Sequence, residues 1–539
     1  MKKRDYIVLY IVSIGLYFAL LIIQHAPAYF DAEYYYAQGI QIATGSGFHE
    51  PYLWNYLNAP AQLPNAAFLY WMPLTSLVAS IGMILSGTTN YIAAVVPLIL
   101  LAGLVPVLAA YLATKLSALK FAGWYAGALA LLGGYFLPYV TQIDSYYLYM
   151  LGGGIFFVFL SKMWAKEKTW MKSLVGFIAL GGLAGLMHLA RADGILWVAA
   201  ALGVVWIPYI FRKAEFSGQV LRVKNGLLRS AGIIGGYLAL TGAWYVRNIQ
   251  LFGTLMPPDN TRNLYLTEYN DIFSFPSSMI TLQRWLASGF SNIVSARLES
   301  LLINVATLIG VSGGVILITF MVVGFIHHRK SPAILYLAFL ILFGVAVMSF
   351  VFPFAGQRGG FFHSVSAFQP ILWALTPVGI DVAIGLGVKK RKWQSGRSWI
   401  MFGGTIMAVF ILITGYVFGS KVINARNKDV LWDGGLRNYQ AVDQKLVSLT
   451  GNPDGVVMVV DPPGYFLASG RSAIVTPQGD LDQVLQAARQ YDAKYLILEE
   501  QQLTSGMKVL YYSDNPVPGF TLIETKGEMK IYELEPSIE

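Results

Sequence analysis

The residues best placed for chemistry are charged side chains where apolar runs begin or end. Asp31 stands in Tyr29-Phe30-Asp31-Ala32-Glu33-Tyr34, a few residues past the first apolar run. Asp144 stands in Thr141-Gln142-Ile143-Asp144-Ser145-Tyr146, directly before another. A carboxylate facing a cavity can act as a general base or orient a hydroxyl. Asp31 and Asp144 together could hold a divalent metal, Mg or Mn, or a sugar hydroxyl. The plainer reading is that each caps a helix, Asp31 one over about 32–43 that Gly45 terminates. Both readings stay open, because a capping carboxylate can still face a cavity. Glu33 follows Asp31 by two residues, about 200° around a helix, so the two acids do not share one helical face.

Cations supply the other half. Arg191 lies in His188-Leu189-Ala190-Arg191-Ala192-Asp193-Gly194, and Arg247 in Trp244-Tyr245-Val246-Arg247-Asn248 with Phe252-Gly253 following. Arg191 either pairs with Asp193 or binds phosphate. Arg247 either snorkels to an interface or binds phosphate, whose oxygens match a guanidinium fork. Arg358 and His363 flank Gly359-Gly360 as a third patch. His49 and His363 are candidates for contact with an acceptor or a sugar, although an interfacial hydrogen bond is the plainer role for His363. No HExxH, Walker loop, GxSxG or dinucleotide fingerprint occurs in a usable context.

The elements that must position these groups are membrane helices. Of 539 residues, 56% are hydrophobic and only 12% charged, with mean hydropathy +0.55. Soluble domains carry roughly 25% charged residues, so this composition points to a polytopic membrane protein. No cysteine is present, which excludes disulfides, thiolate metal sites and cysteine nucleophiles. The net charge of +9 does not mark a nucleic-acid partner, because it is unevenly spread. Residues 421–539 hold 11 basic and 16 acidic side chains, whereas the first 420 hold 27 and 13.

Met1-Lys2-Lys3-Arg4 precedes an apolar run over about 6–23, read as an uncleaved first span with a cytoplasmic N-terminus. Further runs lie near 89–113, 118–139, 146–163, 172–190, 194–211, 227–246, 298–326, 332–353, 364–388 and 399–419. Eleven spans put the basic clusters 162–172, 212–229, 327–330 and 389–397 on the cytoplasmic side. A twelfth apolar segment, about 66–85, would reverse them all, so it is expected as a juxtamembrane helix at the outer interface. Residues 1–419 thus form the membrane domain, with a first extracytoplasmic loop over about 24–88 and another over 247–297. Residues 420–539 read as a small extracytoplasmic α/β domain, with strands over 456–460, 495–498 and 530–534 and a helix over 481–491. The glycine runs 152–154 and 181–185 fall inside spans, where they allow close helix packing.

The chain resembles bacterial and archaeal members of the GT-C glycosyltransferase superfamily, near the protein O-mannosyltransferases and the lipid A aminoarabinose transferase. The resemblance rests on Asp31 with the pattern to Gly47-Phe48, on Met72-Pro73-Leu74, on Gly185 to Gly194, and on Trp244 to Asn248 with Phe252-Gly253. The tail, with Ser469-Gly470-Arg471 and Tyr491 to Leu496, is similar to the outer domains of such enzymes. Many relatives show adjacent Asp-Glu where this chain has Asp31-Ala32-Glu33.

The resemblance implies inverting transfer of a sugar from a polyprenyl-phosphate lipid, undecaprenyl or dolichyl, to a protein, lipid or glycan acceptor outside the membrane. Asp31 would be the general base and Asp144 would position the acceptor or a metal, with Glu33 as a further candidate catalytic carboxylate. Arg191, Arg247 and Arg358 would bind the donor phosphate. Three other readings compete: a ligase using a lipid-diphosphate donor, a non-catalytic polysaccharide assembly component, and a secondary transporter. The last would place its charges at the midplane, usually with repeat symmetry. No repeat is visible, and the candidate charges cluster at outer helix ends.

Overall fold

In a computed structural model, residues 1–58, 60–165, 169–211, 216–257, 259–423, 433–451, 454–500, 503–504, 506–513 and 515–535 are described. The middle of the 162–172 basic cluster and the start of the 212–229 cluster lie outside them. Six helices are long and apolar enough to cross a bilayer among the described residues: Tyr91–Leu116, Tyr146–Trp164, Phe290–Ser312, Pro332–Val351, Gln369–Arg391 and Ser395–Val422. Shorter apolar helices include Leu74–Ser86, Ala122–Leu132, Leu174–Ala190 and Leu317–His327.

Several expected spans differ in detail. The run over 118–139 is α-helical only to Leu132, because Gly133 and Gly134 take left-handed backbone and a 3₁₀ turn, Gly134–Tyr139, follows. The run over 298–326 is broken between Ser312 and Leu317, where Gly314 and Val315 have positive φ. The run expected over 364–388 divides into Phe361–Ser366 and Gln369–Arg391. That division matters, since it gives His363 a short helix of its own.

Glycines bring backbones together where the small-residue runs predict it. A Cβ on Gly181 would stand 1.9 Å from the Ile233 carbonyl oxygen, so helix Leu174–Ala190 packs on helix Phe216–Phe252 without room for a side chain. A Cβ on Gly153 would come within 2.0 Å of the Ala367 carbonyl, fixing helix Tyr146–Trp164 against the segment that follows His363.

The tail folds around a six-stranded sheet in the order Tyr52–Leu53, Ala473–Val475, Val456–Val459, Ala493–Glu499, Met529–Leu534, Phe520–Lys526. The first four strands are parallel and the last two antiparallel. Strands Val456–Val459, Ala493–Glu499 and Met529–Leu534 and helix Leu481–Tyr491 lie where apolar alternation and turn residues predict them, whereas strands Ala473–Val475 and Phe520–Lys526 were not expected. The first strand of the sheet comes from the loop that follows the first apolar run, more than 400 residues away in the chain. Tyr56 adds a hydroxyl bond of 2.5 Å to the Val475 carbonyl, and Tyr491 donates to Pro60 at 2.7 Å. The loop and the tail therefore share one hydrophobic core, in which Leu53 and Tyr56 pack with Ile474, Val475 and Tyr491.

Candidate active site

Asp31 sits in the first turn of helix Phe30–Ala43, whose N-cap position is Tyr29 with no side-chain cap bond. Its carboxylate is thus not used in capping and turns toward His363, with Oδ2 3.6 Å from Nε2. Asp144 also reaches His363, with Oδ2 3.3 Å from the same nitrogen. Asp144 takes further bonds from the Tyr29 hydroxyl at 2.5 Å and from the backbone N–H and hydroxyl of Ser145. Its loop is tied down from two sides. Thr141 donates to Gln24, Gln24 donates to the Pro138 carbonyl, and the Tyr91 hydroxyl donates to the Thr141 carbonyl.

His363 is held as firmly. Its ring stacks on Tyr146 with centroids 3.9 Å apart and planes 11° apart, and Nδ1 lies 2.9 Å from the Gly359 carbonyl. A carbonyl only accepts, so Nδ1 carries the proton and Nε2 faces the two carboxylates. That carbonyl is aimed by an irregular turn, Gly356–Gly360, in which Gly359 has φ +112°, a conformation that favours glycine. Exposure separates the two acids: the Asp31 side chain is 26% accessible and that of Asp144 only 1%. Burial pushes the Asp31 carboxyl up to about 6, against the pull of His363 and with a push from Asp144. Burial also opposes ionisation of Asp144. There His363, the Tyr29 hydroxyl and the Ser145 N–H prevail and hold the carboxyl below the usual range.

Asp31 and His363 line a cavity of about 340 Å³ together with Arg191, Asp193 and Arg358. Arg191 donates to Asp193 at 2.8 Å and to the Gly360 carbonyl at 3.3 Å, and Asp193 accepts from Ser364 at 2.5 Å. The pairing read from the sequence is therefore present, and it leaves Arg191 on the cavity wall. The Arg358 guanidinium lies 5.0 Å from the centroid of the Tyr269 ring. Phe30, Trp54, Tyr70 and Trp71 form an aromatic wall, with Trp54 and Trp71 stacked at 4.1 Å and 20°.

Three expected site residues are elsewhere. Glu33 points away from the cavity, as its angular offset from Asp31 predicts, and lies buried against Asp461. Arg247 donates to the Ala67 carbonyl at 2.6 Å and stacks against Trp244 and Phe48, outside the cavity lining. His49 is exposed on a short strand, His49–Glu50, with Nδ1 3.1 Å from the Ser46 carbonyl. Conversely, sequence reading assigned no role to Tyr29, Tyr146, Tyr269 or the aromatic wall. The density of Tyr and Trp over 29–36 and 52–71 was the available signal. It did not distinguish a binding wall from core.

Asp461 caps helix Pro462–Ser469 by accepting from the Gly464 N–H at 3.0 Å. A Cβ on Gly464 would stand 3.1 Å from the Glu33 carboxyl carbon, so glycine lets the tail approach helix Phe30–Ala43. Burial raises both the Glu33 and the Asp461 carboxyl, and the proton they retain joins them. A carboxyl raised in the folded state contributes stability below its ordinary range and loses it as pH rises through the raised value. Thermal melts are expected to show the tail loosening as pH rises. Glu33→Gln, which needs no shared proton, should flatten that slope, and Glu33→Ala should cost about 1–3 kcal/mol. Identical slopes for wild type and Glu33→Gln would refute the shared proton.

No protein-family model matches the chain, and no curated protein matches its sequence. Solved structures do match its fold. The archaeal oligosaccharyltransferase AglB from Archaeoglobus fulgidus, in complex with an inhibitory peptide and a dolichol-phosphate, aligns with TM-score 0.52 at 12% identity. That alignment covers 94% of this chain and 70% of AglB. ArnT from Cupriavidus metallidurans, bound to undecaprenyl phosphate, aligns with TM-score 0.51 at 12% identity over 99% of this chain and 98% of ArnT. The chain therefore shares its overall fold with these two structures, and six of its described helices are long and apolar enough to cross a membrane.

Proposed function

We propose that this protein is a membrane glycosyltransferase that moves a sugar from a polyprenyl-phosphate donor to an acceptor on the extracytoplasmic side, with inversion. The observation that carries this reading is the meeting of Asp31, His363, Arg191 and Arg358 in one aromatic-walled cavity. Its volume falls within the range of about 300–1,000 Å³ typical of small-ligand sites. The undecaprenyl phosphate bound to ArnT and the dolichol-phosphate bound to AglB support a lipid-phosphate donor.

Asp31 is the group open to the cavity, and it accepts the proton of the acceptor hydroxyl as that oxygen attacks the anomeric carbon. The bond to the phosphate oxygen breaks, and negative charge grows on the departing lipid phosphate. Arg358, assisted by Arg191, meets that charge. Asp193 offsets Arg191, so the cationic wall suits one phosphate better than a diphosphate, which favours the monophosphate donor over the ligase reading. A sugar ring can lay its C–H face on Trp71. Trp71→Ala is expected to raise KM by up to about tenfold, the equivalent of losing about 0.5–1.5 kcal/mol of ring contact, with kcat less affected.

Asp31, Asp144 and His363 also fit a divalent cation. Their ligand atoms lie within 4.8 Å of one another, and Nδ1–H on Gly359 leaves Nε2 available as a donor. A cation bound there would polarise the acceptor oxygen or neutralise phosphate charge. Titration with Mn²⁺ is expected to show one site per chain, weakened by more than roughly tenfold in Asp144→Ala. Equal Mn²⁺ affinity in both proteins would remove the metal from the proposal.

The test of the function as a whole is glycan and lipid mass spectrometry in the native host. It compares wild type, a deletion, and the deletion complemented with Asp31→Asn. Loss of one glycan mass in both mutants, with lipid-phosphate sugar accumulating, is the expected result. A full glycan profile restored by Asp31→Asn would overturn the catalytic assignment.

A further inference from the structure

A second, larger cavity of about 890 Å³ lies at the other end of the bundle. Helix Tyr146–Trp164 links the two: its first residue stacks on His363 and its last lines the second cavity. At about 1.5 Å per residue its 19 residues separate the sites by roughly 28 Å, close to the thickness of a bilayer's hydrocarbon core. This is the end where the basic clusters lie, which the charge rule assigns to the cytoplasm.

The walls are apolar, and the polar atoms they contain are already engaged. Trp164 donates its indole N–H to the Val204 carbonyl at 2.9 Å, and the Tyr336 hydroxyl donates to Ala200 at 2.6 Å. Leu335 and Phe339 are each more than half exposed, so the cavity opens sideways, where a bilayer would stand. The charged residues lining it are Lys172 and Arg229, with no carboxylate among the described lining residues. Lys172 donates to the Ala165 carbonyl, and the Arg229 guanidinium lies 5.3 Å from the centroid of the Phe177 ring. Both cations thus sit on fixed partners within a largely apolar lining.

We propose that this cavity is a binding site for one anionic phospholipid of the leaflet at the basic end. The acyl chains would lie along Leu335, Tyr336 and Phe339, and the headgroup phosphate would lie between Lys172 and Arg229. Apolar walls open to the bilayer select a lipid over a soluble anion, and two cations on that wall favour an anionic headgroup over a zwitterionic one. The bound lipid fills the space that the described residues of five helices enclose. It therefore stabilises the folded state by mass action.

The test uses the full-length protein in nanodiscs of dioleoylphosphatidylcholine containing increasing dioleoylphosphatidylglycerol, with retained lipid read by native mass spectrometry. Wild type is expected to retain one phosphatidylglycerol in preference to phosphatidylcholine and to gain melting temperature as its fraction rises. Lys172→Gln/Arg229→Gln should lower that preference by at least about tenfold, the loss of roughly 1.4 kcal/mol or more. Leu335→Trp, which fills the cavity from its exposed wall and keeps both cations, should lose the lipid as well. Unchanged retention in the double variant, or no headgroup preference in wild type, would overturn the proposal. So would displacement of phosphatidylglycerol by equimolar undecaprenyl phosphate.

Discussion

Asp31→Asn is expected to lower kcat by roughly 10²–10⁴-fold with KM and melting temperature close to wild type. Asparagine keeps the shape of the side chain and cannot accept the proton of the acceptor hydroxyl. The effect should be separable from damage to the fold, because Asp31 makes no capping bond and Asp144 retains Tyr29, Ser145 and His363. The pH profile adds an independent readout. With its carboxyl pushed up to about 6, Asp31 is protonated below that pH and cannot act as base. Wild-type kcat/KM should therefore fall as pH drops through about 6, and the residual rate of Asp31→Asn should lack that limb. Initial rates of lipid-phosphate release across pH measure both. A limb that persists in the variant would assign it to another group.

Arg358→Ala is expected to lower kcat by about 10²–10³-fold, which is about 2.7–4 kcal/mol of transition-state stabilisation. Charge separates Arg358 from its neighbour. Arg191 is committed to Asp193, while Arg358 lines the cavity against the face of Tyr269. Arg358→Lys should recover part of the loss, because an ammonium keeps the charge but not the bidentate fork. Arg191→Ala is a poorer probe, since it strands the nearly buried Asp193 and costs stability as well. Single-turnover assays with a polyprenyl-monophosphate sugar isolate the chemical step. A rise in KM with kcat unchanged would make Arg358 a ground-state binding residue only.

Much of the site was legible in the order of the residues. Charged groups at the ends of apolar runs are costly unless paired or used, so Asp31, Asp144, Arg191, Arg358 and His363 stood out against a lipid-like background. The offset of Glu33 from Asp31 already put the two on different helix faces. What Glu33 would face instead was not legible, because its partner Asp461 arrives with the tail from 428 positions further along the chain. Arg247 shows the same limit. A guanidinium at an outer helix end reads as a phosphate ligand, and only packing reveals that the Ala67 carbonyl takes one of its donors. His49 stayed a candidate because it stands in the right loop, yet its strand turns it outward.

The same division runs through the fold. Apolar run length and basic-loop spacing point to a bundle of membrane-length helices and to which residues gather at one of its ends, because both follow from local transfer energies. Turn residues and alternation likewise place three of the tail's strands and its helix Leu481–Tyr491, but not strands Ala473–Val475 and Phe520–Lys526. Tertiary structure alone decided that Tyr52–Leu53 joins the tail's sheet, that an irregular turn at Gly359 aims His363 between two carboxylates, and that Trp54 and Trp71 carry the packed core up to the wall of a cavity. Those outcomes depend on contacts between segments far apart in the chain. Pairing of that kind is settled by the complementarity of finished surfaces, which no local period records.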